Sequence, residues 1–374
     1  METKLLNGNN KEAIAEASKI LQDGGLVAFP TETVYGLGAD ALNADAAAKI
    51  YAAKGRPSDN PLIVHIADTD AVEKLADLET MNRTHPDMVK KAYMLMEAFW
   101  PGPLTIIFPK LAIVPDGTTG GLPTVAIRMP SHPIAQELIR TSGVSIAAPS
   151  ANTSGRPSPT TAQHVWEDMD GRIEMILDGG AVGIGIESTI VDMTGTIPTI
   201  LRPGFITKTM LSEIVGDVTI DPAIIEPDPN LRPKAPGMKY THYAPHGTLS
   251  IVEAVADESA NRASLHSGVK VSYNATEAET LRVAEKIKAL VNEKEAQGYK
   301  VAILTTKEHA SLYKNYSHVL IVGEGSKGQT ISARLYAALR ECDSEQMEYM
   351  YSEAFDQNEL GGAIMNRLLK AAGH

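Results

Sequence analysis

Between residues 11 and 66 amphipathic helix, short apolar run and polar turn follow one another, and strands separated by helices call for a mixed α/β sheet rather than a bundle or a sandwich. KEAIAEASKILQ at 11–22 sets Ile14, Ala17, Ile20 and Leu21 at helical spacing, and Gly24-Gly25 ends the helix. Leu26–Phe29 reads as a strand that delivers the turn-rich run Pro30-Thr31-Glu32-Thr33-Val34-Tyr35-Gly36-Leu37-Gly38. Ligands gather at such strand ends in open α/β sheets. A helix at about 44–53 leads into Lys54-Gly55-Arg56-Pro57-Ser58-Asp59-Asn60-Pro61 and a strand at 62–66. Two cations on a turn stiffened by two prolines suit an anion, with Arg56 offering a planar fork of donors and Lys54 a compact charge. The plainer reading is a solvated turn entering a strand.

The rhythm continues. Residues 70–99 carry a helical pattern that Trp100-Pro101-Gly102-Pro103 breaks before a strand at 104–108. Further strands fit 124–128, 144–148, 173–177, 188–193 and 198–202, with a helix at about 132–141. The strand at 144–148 empties into Pro149–Thr160, a hydroxyl-rich loop. Arg56, Arg128, Arg156 and Arg202 each lie near an expected strand end within two residues of a proline, which stiffens their backbone. Four such cations suggest an anion cradle; the alternative is that Arg-Pro simply marks turns.

After about residue 206 prolines 222, 227, 229, 233, 236 and 245 stud a stretch of little apolar periodicity, which reads as a linker ending in an aromatic and basic cluster at 236–246. From 247 the α/β pattern returns, with strands at 249–252, 269–271, 301–304 and 318–322 and helices at about 275–297, 329–342 and 362–372. The expected organisation is a domain at 1–206, a linker at 207–246 and a smaller α/β domain at 247–374. Gly323-Glu324-Gly325-Ser326-Lys327-Gly328 lacks a Walker pattern and a complete dinucleotide fingerprint, and reads as a turn.

Composition removes several classes. A net charge of -12 argues against a stable complex with nucleic acid or an anionic membrane through the overall field, so an anionic ligand needs a local positive cluster. A single cysteine, Cys342, leaves no disulfide framework or Cys-rich zinc site, which fits a reducing cytosol. The N-terminus lacks a signal-peptide core and no apolar run reaches a membrane span, so a cytoplasmic location is expected. No G-x-S-x-G elbow is present, and Pro245 between His242 and His246 spoils helical metal-ligand spacing. A pocket of Lys, Arg, Ser, Thr, Asn and Tyr remains, suited to binding polyanions and to phosphoryl or nucleotidyl transfer by positioning and electrostatics.

Thr31–Leu37, Lys54-Gly55-Arg56-Pro57 through Asn60-Pro61-Leu62, Trp100–Thr105, Pro149-Ser150-Ala151-Asn152 and Leu201–Gly204 resemble, in order and spacing, the YrdC-like family of threonylcarbamoyl-AMP synthases. The run Pro236–Pro245 and the ending Gly362–Leu368 resemble its two-domain form. The resemblance implies a YrdC-like twisted-sheet catalytic domain with a smaller Rossmann-like C-terminal domain. It implies formation of threonylcarbamoyl-adenylate and pyrophosphate from L-threonine, bicarbonate or carbon dioxide, and ATP with magnesium. The product would feed a downstream tRNA threonylcarbamoyltransferase. By motif position Thr33, His65, Arg128, Ala148 and Ser188 would contact threonine. Arg56, Asn60, Thr124, Ser150, Ser158, Arg202 and Tyr243 would hold ATP, with Lys54 and Arg56 neutralising phosphate charge and Tyr243 on a lid. An RNA-binding module, disfavoured by the net charge, and a carbamoyl-transfer enzyme using another donor are the rival readings.

Overall fold

The structure, a computed structural model, describes residues 2–224, 233–236, 242–253, 276–355 and 360–373. Two compact units emerge: Met1–Ser154 with Ser158–Tyr240, and Gly155–Pro157 with Thr241–His374.

The first unit runs β1 (Lys4–Asn7), α1 (Lys11–Gln22), β2 (Val27–Pro30), β3 (Tyr35–Asp40), α2 (Ala44–Lys54), β4 (Ile63–His65), α3 (Leu78–Thr84), α4 (Pro86–Phe99), β5 (Leu104–Pro109), α5 (Asp116–Thr119), β6 (Thr124–Arg128), α6 (Pro133–Ser142), β7 (Ile146–Ala147), α7 (Ala162–Met169), β8 (Met175–Asp178), β9 (Thr189–Asp192), β10 (Thr199–Arg202), α8 (Lys208–Val215) and β11 (Thr219–Ile220). Its mixed, twisted 11-stranded sheet has the order β1-β8-β2-β3-β7-β4-β6-β5-β9-β10-β11.

Alternation along the strands sorts side chains between two faces. Leu104, Ile106 and Phe108 of β5, Val125 and Ile127 of β6 and Val64 of β4 join the large core that includes Ile50, Leu95 and Leu211 from α2, α4 and α8. On the opposite face Val27, Phe29, Ile146, Met175 and Leu177 pack against α1 and α6. Farther along that second face a small apolar layer, Ile63, Ile107, Ala126, Ile190 and Leu201, is joined by Ala235. The polar residues that alternate in step with this layer are His65, Thr105 and Arg128, around which the candidate site lies.

Three expectations change. Tyr35–Gly38, read as loop, opens β3, which pairs antiparallel with β2 and β7; neighbours rather than β-propensity hold this Gly-containing segment extended. The single helical span at 70–99 is a 3₁₀ turn, Thr69–Lys74, followed by α3 and α4. Asp77 caps α3 through Thr80 N, and Pro86 starts α4, so the break is written in capping chemistry that apolar periodicity passes over. Helix α8, with Leu211 fully buried, lies within the stretch read as linker.

The second unit holds β12 (Thr248–Val252), α9 (Glu277–Ala296), β13 (Val301–Thr306), β14 (Val319–Gly323), α10 (Gly328–Ser344), β15 (Tyr349–Glu353) and α11 (Leu360–Ala371). Its four-stranded sheet, ordered β12-β15-β13-β14, is parallel throughout, a Rossmann-like arrangement with helical connections. Strand β15 was not expected, and the strand expected at 269–271 lies outside the described residues. The Gly323–Gly328 loop spends its polar groups internally: Gly325 N donates to Glu308 Oε2 at 2.8 Å and Glu324 N to Thr330 Oγ1 at 2.7 Å. This is a turn stabilised by its own chain.

Candidate functional site

Strand register assembles the first half of the site. His65 of β4 and Thr105 of β5 both stand opposite Arg128 of β6. Ser188, just before β9, is fully buried, 2.8 Å from Thr105 Oγ1, and its carbonyl accepts from Arg202 Nε and Nη2 at 3.1 and 3.0 Å. Arg202 reaches this face because the register of β10 shifts between Ile200 and Arg202, so that Arg202 faces Ile190. The backbone at Gly204 comes so close to Glu187–Thr189 that an added Cβ would sit 2.5 Å from Thr189 N, which explains glycine there. Thr124, half-buried at the start of β6, shares the Arg128 face by alternation.

His65 lies edge-on to Phe29, with ring centroids 6.2 Å apart, and its Nδ1 is 3.0 Å from Ile63 O. Burial first and the Arg128 guanidinium second lower its pKa to about 3, so it stays neutral at ordinary pH. Ala148 is held by a bond from its N–H to Ile63 O, and Thr33 is buried with its hydroxyl 2.8 Å from that of Thr31. Arg128, only 4% exposed, forms a 2.7 Å ion pair with Glu32.

The second half surrounds the turn after α2. Gly55 caps α2 at φ 61, so Arg56 follows a helix C-terminus rather than a strand. Its Nε and Nη2 donate to Asn60 O at 3.2 Å and Pro61 O at 3.0 Å, which folds the turn back on itself. Lys54 is 1% exposed and donates to the carbonyls of Ser150 and Asn152. Its charge therefore shapes the hydroxyl loop from below. Ser150 Oγ donates to Asn152 Oδ1 at 2.5 Å, and Ser158 Oγ to Glu187 Oε1 at 2.6 Å. Asn60 is buried, with Oδ1 lacking a hydrogen-bond partner among the described residues. Tyr51, whose hydroxyl donates to Asn60 O and Gly117 O, is pushed up to about 12 by burial and serves as a fixed donor.

Two expected site residues belong to the second unit. Arg156 pairs there with Asp343 at 3.4 Å, and Arg340 donates to Pro157 O at 2.7 Å, so the four-arginine cradle reduces to three arginines within the first unit. Tyr243 is 5% exposed, has φ 67 and stacks on Tyr336 with centroids 5.1 Å apart. Of the lid expected at 236–246, residues 237–241 lie outside the described residues.

Sequence reading missed Glu32, Thr105 and Glu187. All three adjoin or lie inside quoted motifs or named site residues, but a lone carboxylate or threonine carries no sign of burial; the only available signal was the position of Glu32 between Thr31 and Thr33. Among the described residues no group of three or more His, Cys, Asp or Glu could hold a metal ion, and no helix is long and apolar enough to cross a membrane.

The family model Sua5_yciO_yrdC, described as "Telomere recombination", matches residues 19–204, and Sua5_C, described as "Threonylcarbamoyl-AMP synthase, C-terminal domain", matches 206–373. The threonylcarbamoyl-AMP synthase of Bacillus subtilis is 46% identical over 97% of this chain and 94% of its own. That of Pyrococcus abyssi is 41% identical over 98% and 97%. The crystal structure of P. abyssi Sua5 complexed with L-threonine superposes with a TM-score of 0.84 at 40% identity, covering 100% of this chain and 98% of that one. With both family models matched in order and full-length relatives at this identity, the chain belongs to the threonylcarbamoyl-AMP synthase family in its two-domain form.

Proposed function

We propose that this protein is an L-threonylcarbamoyladenylate synthase, a nucleotidyltransferase serving tRNA modification. The observation that carries the reading is the convergence of His65, Thr105, Arg128, Ser188 and Arg202 on one face of adjoining strands, in a chain whose full-length relatives bear that enzyme's name. Threonine is placed at Thr33, His65, Arg128, Ala148 and Ser188, where Arg128 takes the carboxylate and neutral His65 serves as a hydrogen-bonding wall. ATP is placed at Arg56, Asn60, Thr124, Ser150, Ser158 and Arg202, with Lys54 holding the loop that carries Ser150.

The threonine amine attacks carbon dioxide and releases a proton, or attacks the carbon of bicarbonate, its proton and the departing hydroxide leaving together as water, and either route gives the carbamate. A carbamate oxygen then attacks the α-phosphorus, the bond to the β-phosphate bridging oxygen breaks, and pyrophosphate leaves. The nucleophile comes from the substrate, so the chain's work is orientation and neutralisation of developing charge. Magnesium, expected to arrive with ATP, would supply charge neutralisation at the triphosphate. The product passes to a tRNA threonylcarbamoyltransferase in the cytoplasm.

Pyrophosphate release from ATP, measured with threonine and bicarbonate omitted in turn, tests the reading. Release is expected only with both present; equal release without threonine would overturn it.

A further inference from the structure

We propose that Glu32 is a positioning residue for the threonine site, holding the Arg128 guanidinium so that Nη1 meets the substrate carboxylate. The proposal rests on the assignment of that carboxylate to Arg128. An arginine side chain has many rotamers, and a single contact at its tip leaves the fork free to swing. Arg128 is tied at two nitrogens: Nη2 donates to Glu32 Oε1 at 2.7 Å and Nε to Gly102 O at 3.4 Å. Nη1 donates to no acceptor among the described residues.

Glu32 is itself held at both ends. Its second oxygen accepts from Ser131 N at 3.1 Å, in the turn that follows β6. Its backbone lies within a turn in which Thr31 Oγ1 donates to Val34 O at 2.6 Å, and its carbonyl accepts from Ile184 N at 2.9 Å. The carboxylate thus spans from the β2–β3 turn to the exit of β6 and fixes the direction of the guanidinium between them. A buried ion pair is weak grounds for stability, since an uncharged pair of similar shape often does as well, but a charge pair with two defined hydrogen bonds sets orientation. Its 13% side-chain exposure keeps Glu32 in contact with the solvent from which substrate enters.

The test is Glu32→Gln in the full chain, which keeps the shape and an acceptor oxygen but removes the charge. Direct calorimetric titration with L-threonine and with L-threoninamide, which lacks the carboxylate, is paired with the KM for ATP and a thermal melt. Wild type is expected to prefer threonine strongly over the amide. The variant should bind threonine about tenfold more weakly, bind the amide as before, and keep its KM for ATP. Threonine affinity unchanged in Glu32→Gln, or an ATP KM rising in parallel, would overturn the proposal. A wild type that binds both ligands equally would instead overturn the Arg128 assignment on which it rests. Should Glu32→Gln melt early, Glu32→Asp carries the same test, because it keeps the charge but withdraws it by one methylene: selective loss of threonine affinity supports positioning and unchanged affinity overturns it.

Discussion

At the scale of single residues, Asn60 carries an unusual burden, since its Oδ1 is buried without a hydrogen-bond partner among the described residues. An acceptor left in that state costs ~1–3 kcal/mol, which a ligand donor at the same place offsets. Asn60→Ala removes the orphaned oxygen and the ligand contact together. The KM for ATP is therefore expected to rise about tenfold while the thermal midpoint stays level or increases. Pyrophosphate-release kinetics and a melt check this, and an unchanged KM would place Asn60 outside the nucleotide site. Residues of this kind were partly legible in the chain. Asn60 stands in the Lys54–Leu62 motif and Arg128 at an expected strand end near a proline, whereas Glu32 and Glu187 look like ordinary surface carboxylates until tertiary structure encloses them.

Among the elements, α2 delivers both cations of the turn through its C-terminus. Gly55 sits at φ 61 with nothing within 4 Å of an added Cβ, so alanine there meets no clash and only the left-handed backbone opposes it. Gly55→Ala is expected to cost about 1 kcal/mol, read as a lower denaturant midpoint with an unchanged slope. Turnover should fall further than stability, because Lys54 and Arg56 flank the strained position. Strong apolar periodicity made α1, α6 and β5 readable. β3 was not, because Tyr35-Gly36-Leu37-Gly38 owes its extension to β2 and β7, partners that lie on other parts of the chain. The division of 70–99 was signalled only by Asp77 and Pro86, which helical spacing alone overlooks. β15 escaped for a related reason: Tyr349–Glu353 pairs with β12 and β13, both distant in sequence.

For the whole molecule, two histidines give the two units opposite responses to pH. In the first unit burial, and then Arg128, lower His65 to about 3, while the unfolded chain titrates near the usual value of about 6.5. Below that value the unfolded state takes up a proton that the folded state refuses, so stability is lost as pH falls from about 6.5 toward 3, by as much as about 1.4 kcal/mol per pH unit. In the second unit the hydrogen bond that the His309 ring donates to Glu353, opposed by burial and aided by the charges of Glu353 and Glu308, raises His309 above its ordinary value. That stabilisation is fully present below the unfolded value and is lost as pH rises through the folded one. The ring is 37% exposed, so solvent screens the effect. Acidification from pH 8 to 6.5 should therefore stabilise the second unit, and further acidification should destabilise the first. Calorimetric unfolding of the full chain at pH 8, 6.5 and 5, compared with His65→Gln and His309→Gln, separates the two. His65→Gln is expected to shallow the loss below pH 6.5 and leave the gain between 8 and 6.5, and His309→Gln to do the reverse. Wild-type and His65→Gln proteins that lose stability equally between pH 6.5 and 5 would show that the buried imidazole is not the group responsible.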